Sequence, residues 1–157
     1  MFGELKQNEI EELLNEELVG RIGCQLEGTV YVFPISYAYD GTYVYCHAFE
    51  GMKMQAMRQN PNICFQVDNT KDLTNWKSVI AWGKFEELPA GKERNEAIKV
   101  LESRKLPILS SETMHLGDQW PFGSATNGGL QGIVFRILLK NKTGRFEKGT
   151  SNTFLAG

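Results

Sequence analysis

Hydrophobic positions along the chain switch between period-two runs and short helical stretches. Ile10, Leu13, Leu14 and Leu18 recur at helical spacing behind Asn8-Glu9-Ile10-Glu11, which predicts a capped amphipathic helix over 8–18 with Asn8 as the cap. Ile22, Cys24 and Leu26 then alternate with other residues. Glu27-Gly28, the β-rich run from Thr29 to Tyr39, Asp40-Gly41 and a further run from Thr42 to His47 follow. Three strands joined by two tight turns predict an antiparallel meander. Asp40-Gly41 is expected as a two-residue turn with positive φ at both central positions. Pro34 has no N–H to donate to a ladder, so it belongs at an edge or a bulge.

Beyond His47 the helix formers from Gly51 to Asn60 predict a helix closed by Pro61, which disfavours helical geometry at the residue before it. Asn62 to Val67 alternates as a strand, Asp68 to Asn75 reads as a polar turn, and Trp76 to Phe85 as a long strand. Pro89 is expected to open another helix, with Ala97, Ile98 and Leu101 on one face. Residues 107–129 hold no period of either kind, and a stretch of that length inside a compact domain is usually functional or disordered. Met114, His115, Trp120 and Phe122 argue against disorder there. A strand over 131–139, a turn over 141–144 and a short strand over 145–147 complete the reading. The predicted fold is mainly β with flanking helices: one domain over 1–157, core about 8–147, built as a six- to seven-stranded antiparallel barrel, closed or half-closed.

Composition narrows the function. Lys and Arg total 17 against 19 Asp and Glu, a net charge of −2, and no block of like charge stands out. A nucleic-acid footprint is therefore not expected. No apolar run approaches the roughly 18 residues a membrane helix needs, and the N-terminus lacks the pattern of a secretory signal, so a cytoplasmic location is expected. Cys24, Cys46 and Cys64 form no C-x-x-C pattern and are expected as three buried thiols. His47 and His115 are the only histidines, which leaves no metal cluster to predict. No G-x-S-x-G, G-x-G-x-x-G or Walker pattern occurs, and Cys46 and His47, adjacent on a strand, point to opposite faces.

Three segments could carry chemistry. In His47-Ala48-Phe49-Glu50-Gly51-Met52-Lys53 a strand gives way to a helix, with Lys53 in the first turn. A lysine there is disfavoured by the helix dipole unless an anion such as phosphate joins it, or unless Glu50 acts as its counter-charge. Trp76-Lys77-Ser78-Val79 offers a stacking surface, a cation and a hydroxyl, or simply a strand entering the core. The interruption at Pro34 beside Ile35-Ser36-Tyr37 frees backbone groups that a planar polar ligand could use.

The order of these pieces, from Gly20-Arg21-Ile22-Gly23 through Pro34-Ile35-Ser36-Tyr37, His47-Ala48-x-x-Gly51-x-Lys53, Asn60-Pro61-x-Ile63-Cys64-Phe65 and Trp76-x-Ser78-Val79-x-x-x-Gly83, resembles the pyridoxamine 5′-phosphate oxidase-like FMN-binding split-barrel family. Within it the chain is most similar to the branch related to nitroimidazole reductases. The resemblance implies a homodimer with FMN in clefts at the subunit interface. Pro34, Ile35, Ser36 and Tyr37 would line the flavin ring, His47 and Ala48 would sit beside it, Gly51 and Lys53 would receive the phosphate, and Trp76, Ser78 and Val79 would complete the cleft. Trp120, in the 107–129 loop, is a further candidate wall, and His47 a candidate proton donor. It implies a flavin-dependent reductase of small nitroaromatic-type compounds. The alternatives are a non-catalytic flavin- or haem-binding protein, with His47 or His115 as haem ligand, and a ligand-free interaction domain. The C-terminal Arg-Leu motif of true pyridoxamine-phosphate oxidases is missing from 148–157, so vitamin B6 oxidation is not expected.

Overall fold

The computed structural model describes residues 1–104 and 132–149. The elements are β1 (Phe2–Glu4), α1 (Gln7–Glu16), β2 (Val19–Leu26), β3 (Thr29–Tyr39), β4 (Tyr43–Ala48), α2 (Met52–Gln59), β5 (Asn62–Asp72), β6 (Asn75–Glu87), α3 (Lys92–Glu102) and β7 (Ile133–Lys148). Every strand pairing is antiparallel. The order is β1-β7-β4-β3-β2-β5-β6, and β6 pairs back onto β7. Six strands thus close a ring, with β1 added along β7, as the hydrophobic pattern predicted for a small antiparallel barrel. Closure removes the exposed edges that an open sheet of this size would present.

The inward positions of the period-two runs fill the barrel. Ile22, Phe65, Val67, Val79, Ala81, Phe135 and Ile137 meet there, joined by Ile10, Leu13 and Leu14 of α1 and by Met54, Ala56 and Met57 of α2. Tyr37 lies fully inside, its hydroxyl donating to the carbonyl of Leu14 at 2.7 Å, so its polar end is satisfied without water. Burial pushes the Tyr37 hydroxyl well above its usual pKa. A second, smaller core lies outside the barrel wall, where Ala97 and Leu101 of α3 cover Ala38, Tyr45, Leu88 and Val134.

Several local expectations are corrected. The α1 cap is Lys6, whose N–H donates to the Glu9 carboxylate at 3.0 Å, so the helix starts one residue before Asn8. The two-residue turn with both φ values positive is Glu27-Gly28, at 50° and 82°; in the second turn only Gly41 is positive. There the Asp40 carboxylate accepts from the N–H groups of Thr42 and Tyr43, at 2.8 and 2.7 Å, and lengthens the loop. β5 continues to Asp72 through the stretch expected to turn, and α3 starts at Lys92 behind Gly91 rather than at Pro89. β7 is one strand through the expected turn at 141–144, with a bulge where Gly83 opposes Leu139 and Trp82 opposes Asn141. Cys24 and Cys46 are buried, but Cys64 is only half-buried.

Candidate cofactor cleft

The barrel wall opens between β3 and β4. The two strands are joined at three residue pairs, from Tyr39 with Val44 to Tyr37 with Cys46, and the ladder stops there although both strands continue. Ser36 and His47 are the next residues on either side of the gap. The N–H of Tyr37 donates to the Leu18 carbonyl at 3.1 Å, on the β2 side. Backbone groups alternate along a strand, so the N–H of Ser36 is aimed into the gap. The same alternation aims the missing N–H of Pro34 at the gap too, so the proline leaves the β2 ladder intact. Its placement on a free strand edge is the one the sequence required.

Side chains alternate as well. Pro34 is exposed and Ser36 half-buried on the outer face, while Tyr37 points into the core and Ile35 packs against it. Of Pro34-Ile35-Ser36-Tyr37, then, Pro34 and Ser36 can touch a ligand with their side chains, and Ile35 and Tyr37 support them from behind.

On the far side of the gap β4 leads through His47 and Ala48 to α2. His47 is half-buried, its ring edge-on to Phe49 at 5.5 Å. Gly132, with φ at +105°, approaches so closely that a Cβ there would lie 2.7 Å from His47 Nε2. The backbone at 132 therefore fits against the imidazole only without a side chain. Gly51 caps α2, and Lys53 follows in the first turn. Glu50 does not serve as counter-charge to Lys53. Its carboxylate is engaged by Arg58 Nη1 and Nη2 at 2.6 and 2.8 Å, and Arg58 also holds Glu87. Hydrogen bonds from Arg58 keep Glu50 below the usual carboxylate pKa. Lys53 makes no ion pair among the described residues, and its Nζ rests 4.7 Å from the centre of the Phe33 ring. That contact ties the Lys53 side chain to β3 one residue before Pro34, while the body of α2 packs on β2.

Trp76, Ser78 and Val79 lie elsewhere. Val79 is fully buried in the barrel. Ser78 Oγ accepts from Gln66 Nε2 at 3.1 Å, and Trp76 Nε1 donates to Glu147 at 3.1 Å. Both sit on β6, three strand spacings from β3 in the order β3-β2-β5-β6, about 14 Å at about 4.8 Å per step. Between them an Arg21–Asp68 ion pair of 2.9 Å occupies the outer face. One chain therefore gathers Pro34, Ser36, His47, Ala48, Gly51 and Lys53 around the gap and leaves Trp76 and Ser78 apart. Residues 107–129, with His115 and Trp120, fall outside the described residues. Sequence reasoning missed Arg104, whose Nη1 donates to the carbonyls of Leu18 and Tyr37 behind the Ser36 strand. No motif marks it, because its role depends on where α3 ends.

A closed antiparallel barrel whose ladder parts beside a lysine-bearing helix start defines a split-barrel protein. The chain belongs to the pyridoxamine 5′-phosphate oxidase family, whose model matches residues 6–115. It is 30% identical over 131 residues to an uncharacterised protein of Rhizobium meliloti, covering 81% of this chain and 83% of that one. Among solved structures it resembles a protein of Mesorhizobium loti named as FAD-binding, at 30% identity and a TM-score of 0.72, covering 94% of this chain and 99% of that one. A Bacteroides thetaiotaomicron protein named as a candidate for 5-nitroimidazole antibiotic resistance shares the fold, with a TM-score of 0.69 at 19% identity, covering 93% of this chain and 87% of that one. No helix among the described residues is long and apolar enough to cross a membrane.

Proposed function

We propose that the protein binds FMN in the gap between β3 and β4, as a homodimer, and serves as an oxidoreductase of small nitroaromatic-type compounds. The observation that carries this reading is that β3 offers both a free edge at Ser36 and, at Phe33, a seat for the Lys53 ammonium, which has no carboxylate partner among the described residues. A ring with polar edges fits the edge, where the Ser36 N–H can donate to it. A phosphate fits the start of α2, where Lys53 and the first N–H groups of the helix converge. Gly51 is exposed with nothing within 4 Å of a Cβ position, so the approach is open. The M. loti protein, named as FAD-binding, supports a flavin.

Bound flavin would supply the two-electron chemistry. The chain's own part is to grip the phosphate with Lys53, fix the ring edge with Ser36, and place the His47 imidazole at the mouth, where it can position an acceptor or donate a proton to it. Trp76 and Ser78 reach the cleft from a second copy in this reading, because β2 and β5 lie between them and Ser36 on the wall of one chain. Exposed Val30, Val32 and Ile80 supply apolar surface for that contact.

The test is an absorbance titration of the purified protein with FMN, and with FAD and haem for comparison, at measured oligomeric state. Stoichiometric FMN uptake by a dimer, followed by reoxidation of the reduced form on adding a nitroimidazole, is expected. Uptake without reoxidation would leave a flavin-binding protein that does not turn over. Absence of uptake would overturn the reading.

A further inference from the structure

A second site lies away from the cleft, where β7 bulges. Lys140 is the extra residue between Leu139 and Asn141, facing Gly83 and Trp82 on β6. Gly83 has no room for a side chain: a Cβ would meet the Leu138 carbonyl at 2.3 Å. The backbones therefore cross closely, and the outer surface beside the crossing is hollow. The cavity measures about 300 Å³, near the lower limit for small-molecule sites. Asn62, Cys64, Trp82, Lys84, Lys140 and Asn141 contribute its side-chain lining.

The chemistry of this lining is specific. Lys84 and Lys140 both line this small hollow, no carboxylate lines it, and neither lysine makes an ion pair among the described residues. An anion entering a hollow lined by two cations and no carboxylate is attracted by both. Trp82 is 46% exposed, a large apolar ring on which a flat ligand can stack. Asn62 and Asn141 add amide donors and acceptors at the edge. Bulges recur beside binding sites because they re-aim side chains, and this one sets Lys140 against the hollow. We infer that the hollow at the β6–β7 bulge binds a small flat aromatic anion, its ring on Trp82 and its charge between Lys84 and Lys140.

This inference does not depend on the flavin reading, since the lining shares no residue with the β3–β4 gap. The probe is 2-naphthoate, titrated into the purified protein and followed by amide chemical shifts, with neutral 2-naphthamide as control. Saturable shifts at Cys64, Trp82 and Asn141, at least tenfold weaker binding of the amide, and at least tenfold weaker naphthoate binding to Lys84→Gln/Lys140→Gln are expected. Both lysines are exposed, so an unchanged melting temperature shows that the variant folds. Three outcomes overturn the inference: no saturable shifts at these residues, equal affinity for acid and amide, or unchanged affinity in the double variant. Shifts confined to Ser36, His47 and the start of α2 would also overturn it, because the probe would then be in the flavin cleft.

Discussion

Replacing Lys53 with alanine tests the proposed phosphate end of the cleft most directly, and the structure sets the size of the effect. A hydrogen bond to a charged group contributes about 1.5–3 kcal/mol. Without ligand, however, the Lys53 ammonium lies 4.7 Å from the Phe33 ring centre, a contact worth about 0.5–1 kcal/mol at an accessible site. Binding phosphate exchanges one interaction for the other, so the net loss on Lys53→Ala is about 1–2 kcal/mol, or roughly a 5- to 30-fold rise in the FMN Kd. Lys53→Arg keeps the charge and should recover most of the affinity. Isothermal titration at fixed ionic strength measures both, and raising the salt should weaken the wild type more than the alanine variant, because only the wild type has the ammonium to screen. Circular dichroism should show both variants folded, since Lys53 is exposed. A Kd that stays within twofold of wild type in Lys53→Ala, with the same salt dependence, would refute the placement of the phosphate at α2.

Other outcomes follow from the packing. Burial raises the Glu11 pKa, but hydrogen bonds from Lys142 and Tyr39 outweigh it and hold the carboxyl below its usual value. The unfolded chain therefore binds this proton more readily: the stabilisation is present above the unfolded pKa of about 4.3 and is lost as pH falls through the folded one. Glu11→Gln should lower stability at neutral pH and flatten the acid limb of a urea-midpoint profile; parallel profiles would contradict the assignment. Gly132→Ala forces a side chain at φ +105° against His47 and should cost about 1–3 kcal/mol in urea unfolding while shifting the His47 ring resonances. Gly83→Ala drives a methyl into the β7 backbone and should cost a similar amount, about 1–3 kcal/mol, read as a lower melting temperature.

The barrel was legible because alternation survives wherever one strand face is buried, and the departures have identifiable causes. Asp68 to Asp72 looks like a turn because it is polar, yet it is the outward-leaning end of β5, paired to Trp76–Ser78 and Asn75 across the hairpin. Asn141 to Gly144 also looks like a turn, but Gly144 is there for packing: a Cβ would lie 2.8 Å from Leu5 and 3.0 Å from Ile10. Asp40-Gly41 carries the stronger pattern for a two-residue turn, and the Asp40 side chain undoes it by capping two N–H groups itself. In each case a local residue preference was overridden by a contact made far along the chain or by a side chain acting on its own backbone.

The cleft was legible by a different route. Pro34 announced a free edge and Lys53 an anion at a helix start, but nothing local says that the two come together on β3. Their meeting depends on where the β3–β4 ladder ends, one pair before Ser36 and His47, and on α2 lying back across Phe33. The same geometry explains why Trp76 and Ser78, matched by motif, do not join them. Motif order reports position along the chain, whereas the barrel places β3 and β6 on opposite sides of β2 and β5. In the proposed dimer, a site built from both strands draws on two chains. If the protein is monomeric at concentrations where it binds FMN stoichiometrically, Trp76 and Ser78 are not part of the flavin site, and Trp76→Ala should leave the FMN Kd unchanged. If it is dimeric, the same substitution should weaken binding by about 1–3 kcal/mol, the range for loss of one aromatic stacking surface.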